Sequence, residues 1–530
     1  MAFYLRFEGV NLSSFIEDAE DLSVSRGGSL VLLNAPDEVR RKLRDLFGDR
    51  VEDVNLGASS GIFRIDSTDP GAADRAKAEV RRYLENDTAR RHATFVVDTA
   101  PDTGNAAFAA DRARLMALNR WQQMQTQSLI YPETGGAPVK DVEGKAWRVC
   151  QKDLVRPAWK PVQHWNLEER KYETEIRSAS VHARHEYGRG NKKDFFRKEF
   201  ERVRNAVIPA EPGLEQLDYV NDLNTLAGNS GHSEPLRNKV AILYLDGNRF
   251  GAKFAAQCVT PEQQREKSAQ LRTEQATFLT HLITHIHRNP KDWFFEGKDQ
   301  DGKHVRQVRI EVLQWGGDEI ALVVPAWKGL FALEFFFREA RDWKTFSPLS
   351  HGAGVVFCSR KCHIHRSLRL AKELADLAKS ELKRPAEERM ASEETNLVVY
   401  QVLESFDHIG RRPDLDYMAD RYPFLARDKP DALLLPGDKL GAIREAIIAL
   451  QSEMPRRRLH EVVRSLMKTG QFPGSPEVKT LQPPKEATTS FNSLESACLH
   501  APPRPGTDDG MLFHKAAWLH LQELWDYAVE

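Results

Sequence analysis

Two stretches of the chain share one pattern of hydrophobic and polar positions. Residues 4–16 and 243–255 each form an apolar strand that ends in an acid and a glycine, followed by an amphipathic segment. Residues 25–36, SRGGSLVLLNAP, and 313–325, LQWGGDEIALVVP, then repeat a Gly-Gly pair, an apolar run and a proline. Dense apolar runs beside Gly-Gly pairs are typical of buried hairpin strands. We therefore expect a hairpin around each pair.

The elements that follow the two hairpins also correspond. Each hairpin is followed by a helical pattern, then by a strand, at 59–65 or 352–357, and then by another helical pattern, at 71–84 or 365–380. The predicted order is β, α, β-hairpin, α, β, α in both halves, which is close to a ferredoxin-like layout. The sequence therefore predicts an α+β chain that contains a duplication.

The remaining stretches lack this pattern. Residues 105–235 suggest a helical and irregular connector, and residues after 386 are mostly helical in pattern. Trp518, Leu521, Leu524 and Trp525 form one apolar stripe, for which we favour core packing over partner docking. The predicted domains are a degenerate first unit (1–104), the connector (105–235), a second, catalytic unit (236–385) and a helical C-terminal domain (386–530).

Composition narrows the class of protein. The chain has 530 residues, is 41% hydrophobic and 29% charged, and carries a formal net charge of −1, so no overall field attracts nucleic acid or membrane. No leader pattern and no run of 18 apolar residues occurs, and five cysteines are too few for a disulfide scaffold. We expect a cytoplasmic protein without a membrane partner.

The second hairpin contains the candidate chemistry. Asp318 and Glu319 follow Gly316-Gly317, whereas the first copy has Ser29-Leu30 at that offset. In the predicted topology Asp246 ends the neighbouring strand, so three carboxylates meet at one edge and a cation would relieve their repulsion. Hard oxygen ligands without His or Cys favour Mg²⁺ or Mn²⁺, as phosphoryl transfer requires. The alternative is a solvated hairpin tip with two incidental acids.

Further residues would contact a nucleotide. The glycines of the hairpin allow a tight turn and close approach of a triphosphate. Lys379 and Lys383 lie one turn apart on the last helix of the second copy, where they would either neutralise phosphate charge or form a solvated helix face. These two interpretations stay open.

The segments YLDGNRFG, QWGGDEIALVVPAW and LAKELADLAK resemble the palm domain of GGDEF cyclases. They resemble more closely the large polymerase/cyclase subunit of type III CRISPR effector complexes and its stand-alone relatives. That resemblance implies two palm domains, the first degenerate, and a Mg²⁺-dependent enzyme that joins ATP into cyclic oligonucleotide second messengers during antiviral defence.

The resemblance assigns roles to individual residues. Asp246, Asp318 and Glu319 would be the catalytic and metal-binding acids, and Lys379 would contact phosphate. The nucleotide-binding set would further include these positions: Gly247, Asn248, Phe250, Gly251, Gly316, Gly317 and Lys383.

The chain departs from these families at particular positions. Asn248 stands where CRISPR relatives often have a second acid, and Phe254 stands where GGDEF cyclases have an asparagine for guanine, which favours ATP over GTP. The hairpin pair Asp-Glu leans toward the GGDEF cyclases. No His-Asp dipeptide occurs, so the nuclease domain of the CRISPR subunits is absent, and Cys150 alone remains of their inter-palm cysteine cluster.

The sequence therefore leaves three functions open. The first is a nucleotidyltransferase that makes a cyclic oligonucleotide from ATP, with RNA or DNA as an activator and a second copy or defence-complex subunits as partners. The second is a palm-fold subunit of weak or no activity that binds nucleotide or RNA and regulates a defence complex. The third is a diguanylate cyclase.

Two other motifs have ordinary explanations. Cys358, Cys362, His363 and His365 would suit zinc by residue type, but so short a link between a strand and a helix rarely wraps one ion, and we favour loop residues. The basic stretch 180–205 would either bind nucleic-acid phosphates or form a solvated amphipathic helix with Phe195, Phe196 and Phe200 inward; we favour the helix.

Overall fold

The protein is described from a computed structural model. The described residues are 2–125, 138–166, 171–204, 213–228, 231–232, 235–298, 302–380, 382, 391–392, 394–403, 422, 433–469, 483–503 and 509–529. Mixed helices and sheets make this an α+β protein.

The first sheet and its helices occupy the N-terminal hundred or so residues. The elements are β1 (Ala2–Val10), α1 (Leu12–Ile16), α2 (Leu22–Phe47), β2 (Val51–Leu56), β3 (Ser60–Asp66), α3 (Ala72–Asn86) and β4 (Thr94–Pro101). The strand order is β2-β3-β1-β4, with every pair antiparallel. The connectivity is β-α-β-β-α-β, with an apolar core between the sheet and helices α2 and α3.

The connecting region contains short strands as well as helices. Its elements are α4 (Phe108–Gln125), β5 (Val139–Lys140), β6 (Ala146–Trp147), β7 (Lys160–Asn166), β8 (Lys171–Arg177), α5 (Ala179–Val203), β9 (Asp218–Tyr219) and α6 (Leu223–Ala227). Phe195, Phe196 and Phe200 of α5 are buried, as the sequence predicted. Arg184 and Lys192 are buried as well, so part of the basic stretch faces the interior and is not available to a nucleic acid.

The second sheet repeats the first and extends it. The elements are β10 (Lys239–Gly247), α7 (Phe250–Gln257), α8 (Pro261–Arg288), β11 (Phe294–Lys298), β12 (His304–Val308), β13 (Glu311–Gly316), β14 (Glu319–Pro325), α9 (Gly329–Ala340), β15 (His351–Ser359) and α10 (Ile364–Ser380). The order β13-β14-β10-β15 matches that of the first sheet, strand for strand.

The C-terminal elements join the same core. They are β16 (Leu397–Val402), β17 (Leu435–Pro436), α11 (Leu440–Glu453), α12 (Arg456–Thr469), α13 (Thr488–Cys498) and α14 (Asp509–Leu524). Strand β16 pairs parallel with β15 and β17 pairs antiparallel with β16, so the second sheet continues beyond residue 385. Trp518, Leu521 and Leu524 are fully buried, as expected for a core helix.

The Gly27-Gly28 hairpin predicted from the sequence is wrong. Both glycines lie inside helix α2, where they allow α5 to pack at very short range: a β-carbon on Gly27 would lie 1.8 Å from the carbonyl oxygen of Arg184, and one on Gly188 would lie 2.2 Å from that of Ser23. The true counterpart of the Gly316-Gly317 hairpin is the β2–β3 turn at Gly57-Ala58.

The correspondence between the later elements of the two copies changes as a result. Residues 59–65 fall in β3 and thus correspond to β14 rather than to β15, and the helix at 71–84 corresponds to α9 rather than to α10. The duplication remains, because the strand orders match, but its register along the sequence differs from the one the pattern predicted.

Candidate active site

Asp246 and Glu319 lie directly opposite each other, where two neighbouring strands of the second sheet end and begin. They are paired in the register of β10 and β14, whose other residues are almost all buried. Residues opposed in an antiparallel pair point to the same face, with β-carbons about 5 Å apart. Strand pairing alone therefore brings together two carboxylates that are more than seventy residues apart in sequence.

Asp318 joins this pair from the hairpin turn. Gly316 and Gly317 have φ angles of 127° and 67°, values that L side chains rarely adopt, so the turn needs glycine at both positions. The turn places Asp318 over the end of β10: a β-carbon on Gly247 would lie 3.0 Å from the β-carbon of Asp318 and 3.3 Å from its Oδ2. The three acids converge as the sequence predicted.

Crowding changes the protonation of these acids. Burial, and after it the neighbouring carboxyl of Asp246, with which Asp318 shares a hydrogen bond, together raise the pKa of Asp318 to about 8. Burial and the charge of Asp246 also raise the pKa of Glu319. Such shifts arise where carboxylates face each other without enough compensating positive charge.

Glu319 is held by two side chains that the sequence analysis did not select. The hydroxyl of Tyr244 donates a hydrogen bond to it, and so does the side-chain amide of Gln314. Burial and the acid cluster together raise the pKa of Tyr244 above its ordinary range, so the phenol stays protonated. Tyr244 precedes Asp246 by two residues, and strand alternation was the signal that would have placed it on the same face.

Lys379 pairs with Asp246. Its Nζ donates to Asp246 Oδ2 at 2.6 Å and to the backbone carbonyl oxygen of Gly247 at 3.2 Å. Lys372 lies two turns earlier on α10, with its Nζ 5.5 Å from the ring centre of Tyr244 and 2.9 Å from Glu17 Oε1. Lys383 lies outside the described residues. Within the described residues, Lys379 and Lys372 are the lysines of α10 that contact this site, and they share a face of the helix at a spacing of seven.

The segment after Asp246 turns into a helix. Asn248 is buried, its side-chain amide donates to Ser350 Oγ at 2.9 Å, and its backbone N–H donates to the Ser350 carbonyl oxygen at 2.8 Å. Within the described residues its side-chain oxygen has no hydrogen-bond partner although it is buried. Phe250 and Gly251 open helix α7. The side-chain amide of Asn248 therefore fixes this segment to Ser350, the residue before β15.

A large cavity lies beside the hairpin tip. Its volume is about 350 Å³, and it is walled by the aromatic residues Phe250, Phe254 and Phe346 and by Gly317. The guanidinium of Arg112 lies 5.8 Å from the ring centre of Phe254, and Lys267 Nζ lies 5.6 Å from that of Phe346. Aromatic faces with nearby cations are suited to a nucleotide base and its phosphates.

Both sheets contribute to this cavity. Arg6, Asn55 and Ser60 come from strands of the first sheet, and the aromatic wall comes from helix α7 and the loop before β15, which flank the second sheet. Sequence reasoning did not identify Arg112, Lys267 or Phe346, because each belongs to a segment without a recognisable motif. The cavity is created by the packing of the two repeated units.

The oxygen atoms at this site are of the type that binds a divalent ion. Asp246, Asp318 and the Gly247 carbonyl offer hard oxygen atoms close together, which fits Mg²⁺ or Mn²⁺, and a cation would relieve the raised pKa of Asp318. Among the described residues no three His, Cys, Asp or Glu side chains are arranged to hold a metal ion. The acids thus offer two close carboxylates and a carbonyl, with Glu319 bound to Tyr244 and Gln314.

The cysteine–histidine motif is a junction between a strand and a helix. Cys358 is fully buried in β15, next to Cys362, and Cys358 Sγ lies 3.8 Å from Ser367 Oγ. His363 Nδ1 lies 2.8 Å from Glu20 Oε1. The ordinary structural role agrees with these contacts.

Of the helices in the described ranges, none is long and apolar enough to span a bilayer.

Comparison with solved structures finds similar chains. The Csm1–Csm4 cassette in complex with cA4 aligns with a TM-score of 0.46 and 13% identity, over 99% of this chain and 69% of that one. Csm1 of T. onnurineus gives 0.48 and 14%, over 100% and 70%. The Csm1–Csm4 subcomplex of the type III-A CRISPR-Csm interference complex gives 0.48 and 12%, over 99% and 70%.

These chains represent the large-subunit class that the motifs resemble, and this chain is similar to them along nearly its whole length. No protein-family model and no curated protein sequence matches the chain. At identities of 12–14% and TM-scores below 0.5 the likeness by itself carries no functional conclusion.

Proposed function

We propose that this chain is a palm-fold nucleotidyltransferase that makes a cyclic oligonucleotide from ATP with the help of Mg²⁺ or Mn²⁺. One observation carries the proposal: three acids, Asp246, Asp318 and Glu319, converge beside a cavity of nucleotide size. In this proposal both β-α-β-β-α-β units are palm domains, and the second is the catalytic one. The role in antiviral defence is what the motif resemblance implies.

Asp246, Asp318 and the Gly247 carbonyl would hold the divalent ion. Bound there, such an ion supplies charge stabilisation for phosphates and lowers the pKa of an attacking hydroxyl. The chain's own residues do the rest: Lys379, now on Asp246, is placed to turn to phosphate oxygens, and Tyr244 and Gln314 orient Glu319.

The reaction is an in-line displacement. The 3′- or 2′-hydroxyl oxygen of the acceptor forms a bond to the α-phosphorus of the donor, while the bond from that phosphorus to the β-phosphate oxygen breaks. Pyrophosphate leaves with its electron pair, and the hydroxyl proton is released. Because little covalent chemistry is left to the protein, positioning and charge account for catalysis.

The acceptor would lie between the two palm domains. The β2–β3 turn of the first unit carries Gly57-Ala58-Ser59 in place of acids, so it would bind a nucleotide without activating it. Its neighbours Asn55 and Ser60 line the cavity opposite Phe250 and Phe254. This arrangement supports two nucleotides facing each other from one chain.

The base wall supports ATP over GTP. Phe254 presents an aromatic ring where an amide would be needed to hydrogen-bond guanine, and Phe346 lies beside it, with ring centres 5.8 Å apart. Stacking on aromatic faces contributes about 1–3 kcal/mol per base and does not require a base-specific hydrogen bond.

A second function has a specific observation in its favour. Lys379 neutralises Asp246 at 2.6 Å, and no three metal-ligand side chains are grouped in the described part of the chain. Both features suit a palm-fold subunit that binds nucleotide and regulates a defence complex without turnover.

One assay separates the two. The full chain is incubated with α-labelled ATP or GTP and Mg²⁺ or Mn²⁺, with and without RNA, and pyrophosphate and new nucleotides are measured. The first function predicts both products, lost in Asp318→Ala and Glu319→Ala. Nucleotide binding without either product, at every metal and RNA condition, would favour the regulatory subunit.

A further inference from the structure

Cys358 and Cys362 lie next to each other where strand β15 passes into helix α10. Cys358 belongs to the strand, and Cys362 lies in the turn that follows it. The turn is closed by a hydrogen bond from the Cys362 N–H to the Ser359 carbonyl oxygen at 2.9 Å. It folds back on the strand, so the two thiols share a hydrogen bond. The backbone therefore holds the two sulfur atoms in contact.

The two thiols differ in their exposure to solvent. All five cysteines of the chain lie in described residues; four are buried, and Cys362 is partly exposed. A small oxidant in solution can therefore reach the sulfur of Cys362 while the chain stays folded. Cys358 is 0% exposed, so its sulfur is reached through that of Cys362. An accessible thiol with a second thiol beside it is the arrangement in which oxidation of the first is resolved by the second.

The hydrogen bonds at this turn favour a thiolate on the accessible residue. The Cys358 thiol donates to Cys362 and lowers the pKa of Cys362, and the backbone N–H of Ser359 lowers it further, although burial opposes both. The same hydrogen bond, and after it burial, raises the pKa of Cys358. The thiolate is the form of cysteine that reacts with oxidants. The reactive form is thus placed on the sulfur that solvent can reach.

The histidines that follow do not turn this pair into a metal site. His363 Nδ1 lies 2.8 Å from Glu20 Oε1, on the first repeated unit. In the part of the chain that the structure describes, no three His, Cys, Asp or Glu side chains are grouped to hold a metal ion. Both thiols therefore remain available for sulfur chemistry.

We propose that Cys358 and Cys362 form a reversible disulfide, with hydrogen peroxide as the oxidant and a small thiol as the reductant. The Cys362 thiolate sulfur forms a bond to one peroxide oxygen while the O–O bond breaks, and hydroxide leaves with the electron pair and takes up a proton from water. The Cys358 sulfur then forms a bond to the Cys362 sulfur while the S–O bond breaks. The departing hydroxide takes the Cys358 proton. The two sulfur atoms lose two electrons in total, and the peroxide is reduced to two molecules of water.

The disulfide would form away from the acid cluster. Gly352, near the other end of β15, pairs with Asp246, and at about 3.3 Å per residue the cysteines lie about 20 Å from that point along the strand. Oxidation would join the end of β15 to the turn that starts α10, the helix that carries Lys379. The proposal does not depend on nucleotidyl transfer, and a chain without turnover would test it equally well.

The test is peptide mapping of the full chain. The protein is reduced, freed of reductant and treated with hydrogen peroxide while folded; it is then unfolded, its remaining thiols are alkylated, and it is cut with trypsin. Arg360 and Lys361 lie between the two cysteines, so the disulfide appears as peptide 345–360 linked to peptide 362–366. We expect this linked pair to form and to be lost with dithiothreitol. The buried cysteines should be recovered as thiols: Cys150, Cys258 and Cys498.

Three variants separate the roles of the two thiols. Cys362→Ser should leave Cys358 reduced. Cys358→Ala should stop the reaction at the sulfenic acid of Cys362, which dimedone traps. It should also slow alkylation of Cys362 by iodoacetamide at pH 7 about threefold or more, because a smaller thiolate fraction is only partly offset by higher nucleophilicity. Cys258→Ser removes a buried cysteine elsewhere and should form the linked pair as the unchanged chain does.

Two results would overturn the proposal. One is oxidation of Cys362 to sulfinic acid in the folded, unchanged chain without any linked pair. The other is a linked pair that forms only in urea, with Cys362 in the folded chain reacting no faster than Cys258. Both are measured on the unchanged chain, so the test stays valid even where Cys358→Ala does not fold.

Discussion

Ala58 and Gly316 are in contact across the two repeated units. A β-carbon on Gly316 would lie 2.6 Å from the β-carbon of Ala58, so the equivalent hairpins of the two sheets meet tip to tip. Because Gly57 and Gly317, the neighbours of these two residues, line the large cavity, the spacing of the tips affects the shape of that cavity.

Gly316→Ala should therefore impair both folding and nucleotide binding. The φ of 127° at Gly316 is strained for alanine, and the added methyl group would push the tips apart. We expect a loss of about 2 kcal/mol in stability, measured by urea unfolding. In Gly190→Ala, at an exposed position of α5 with open space around the glycine, stability should rise slightly. Unchanged stability in Gly316→Ala would contradict the tip contact.

The acid cluster predicts stabilisation by metal ions. Mn²⁺ at about a hundred times its dissociation constant should stabilise the chain by about 2.7 kcal/mol, because it binds the folded state. Asp246→Asn should abolish this gain, since it removes a ligand that strand pairing places against Glu319. Glu296→Gln, an exposed acid elsewhere on the second unit, is the control. Thermal melting with and without Mn²⁺ measures the effect, and an equal gain in both variants would exclude the site.

The parts of the site that the sequence predicted share one feature. Asp246, Asp318 and Glu319 lie at the ends of apolar runs whose strand character follows from local pattern, and antiparallel pairing then fixes their meeting point. The Gly27-Gly28 hairpin failed for the converse reason: an apolar run beside two glycines also suits a buried helix that packs closely on another.

The residues that line the large cavity could not be predicted from local sequence patterns. Arg112, Lys267 and Phe346 come from α4, α8 and a loop, and only the packing of the two units brings them together. Lys379 as a phosphate ligand stays a prediction, and its pairing with Asp246 in the structure was not foreseen. Charge complementarity between distant residues is set by tertiary geometry, which hydrophobic periodicity does not encode.

The raised pKa of Asp318 predicts how stability depends on pH. The folded state keeps a proton on Asp318 up to about pH 8, whereas the unfolded chain releases it near pH 4, so without metal stability falls as pH rises between these values. Asp318→Asn should flatten that decline and add about 1 kcal/mol at pH 7.5. Urea unfolding in EDTA at several pH values checks this. Asp342→Asn, at an exposed acid, should leave the slope unchanged, and an equally steep decline in Asp318→Asn would refute the prediction.

Phe254 should determine affinity for the base. Phe254→Ala removes a stacking face worth about 1–3 kcal/mol, so the KM for ATP should rise about tenfold or more. Phe254→Asn should shift preference toward GTP, because an amide can pair with the guanine edge. Tyr172→Ala, which removes an exposed aromatic residue outside the cavity, should change neither value. Initial rates with both nucleotides measure the effects, and an unaltered KM in Phe254→Ala would place the base elsewhere.

We predict that the ammonium group of Lys379 competes with a metal ion for the same oxygen atoms. It donates to both Asp246 Oδ2 and the Gly247 carbonyl, two of the oxygens that a divalent ion would use. Removing the positive charge in Lys379→Gln should therefore tighten Mn²⁺ binding about 3- to 10-fold without nucleotide, as electron paramagnetic resonance of free Mn²⁺ would measure. The same variant should lower kcat/KM for ATP, since with nucleotide present the lysine turns to the phosphates. Lys361→Gln, in the loop before α10, should change neither quantity. Weaker Mn²⁺ binding in Lys379→Gln would mean that the lysine holds Asp246 in its binding position instead of competing for it.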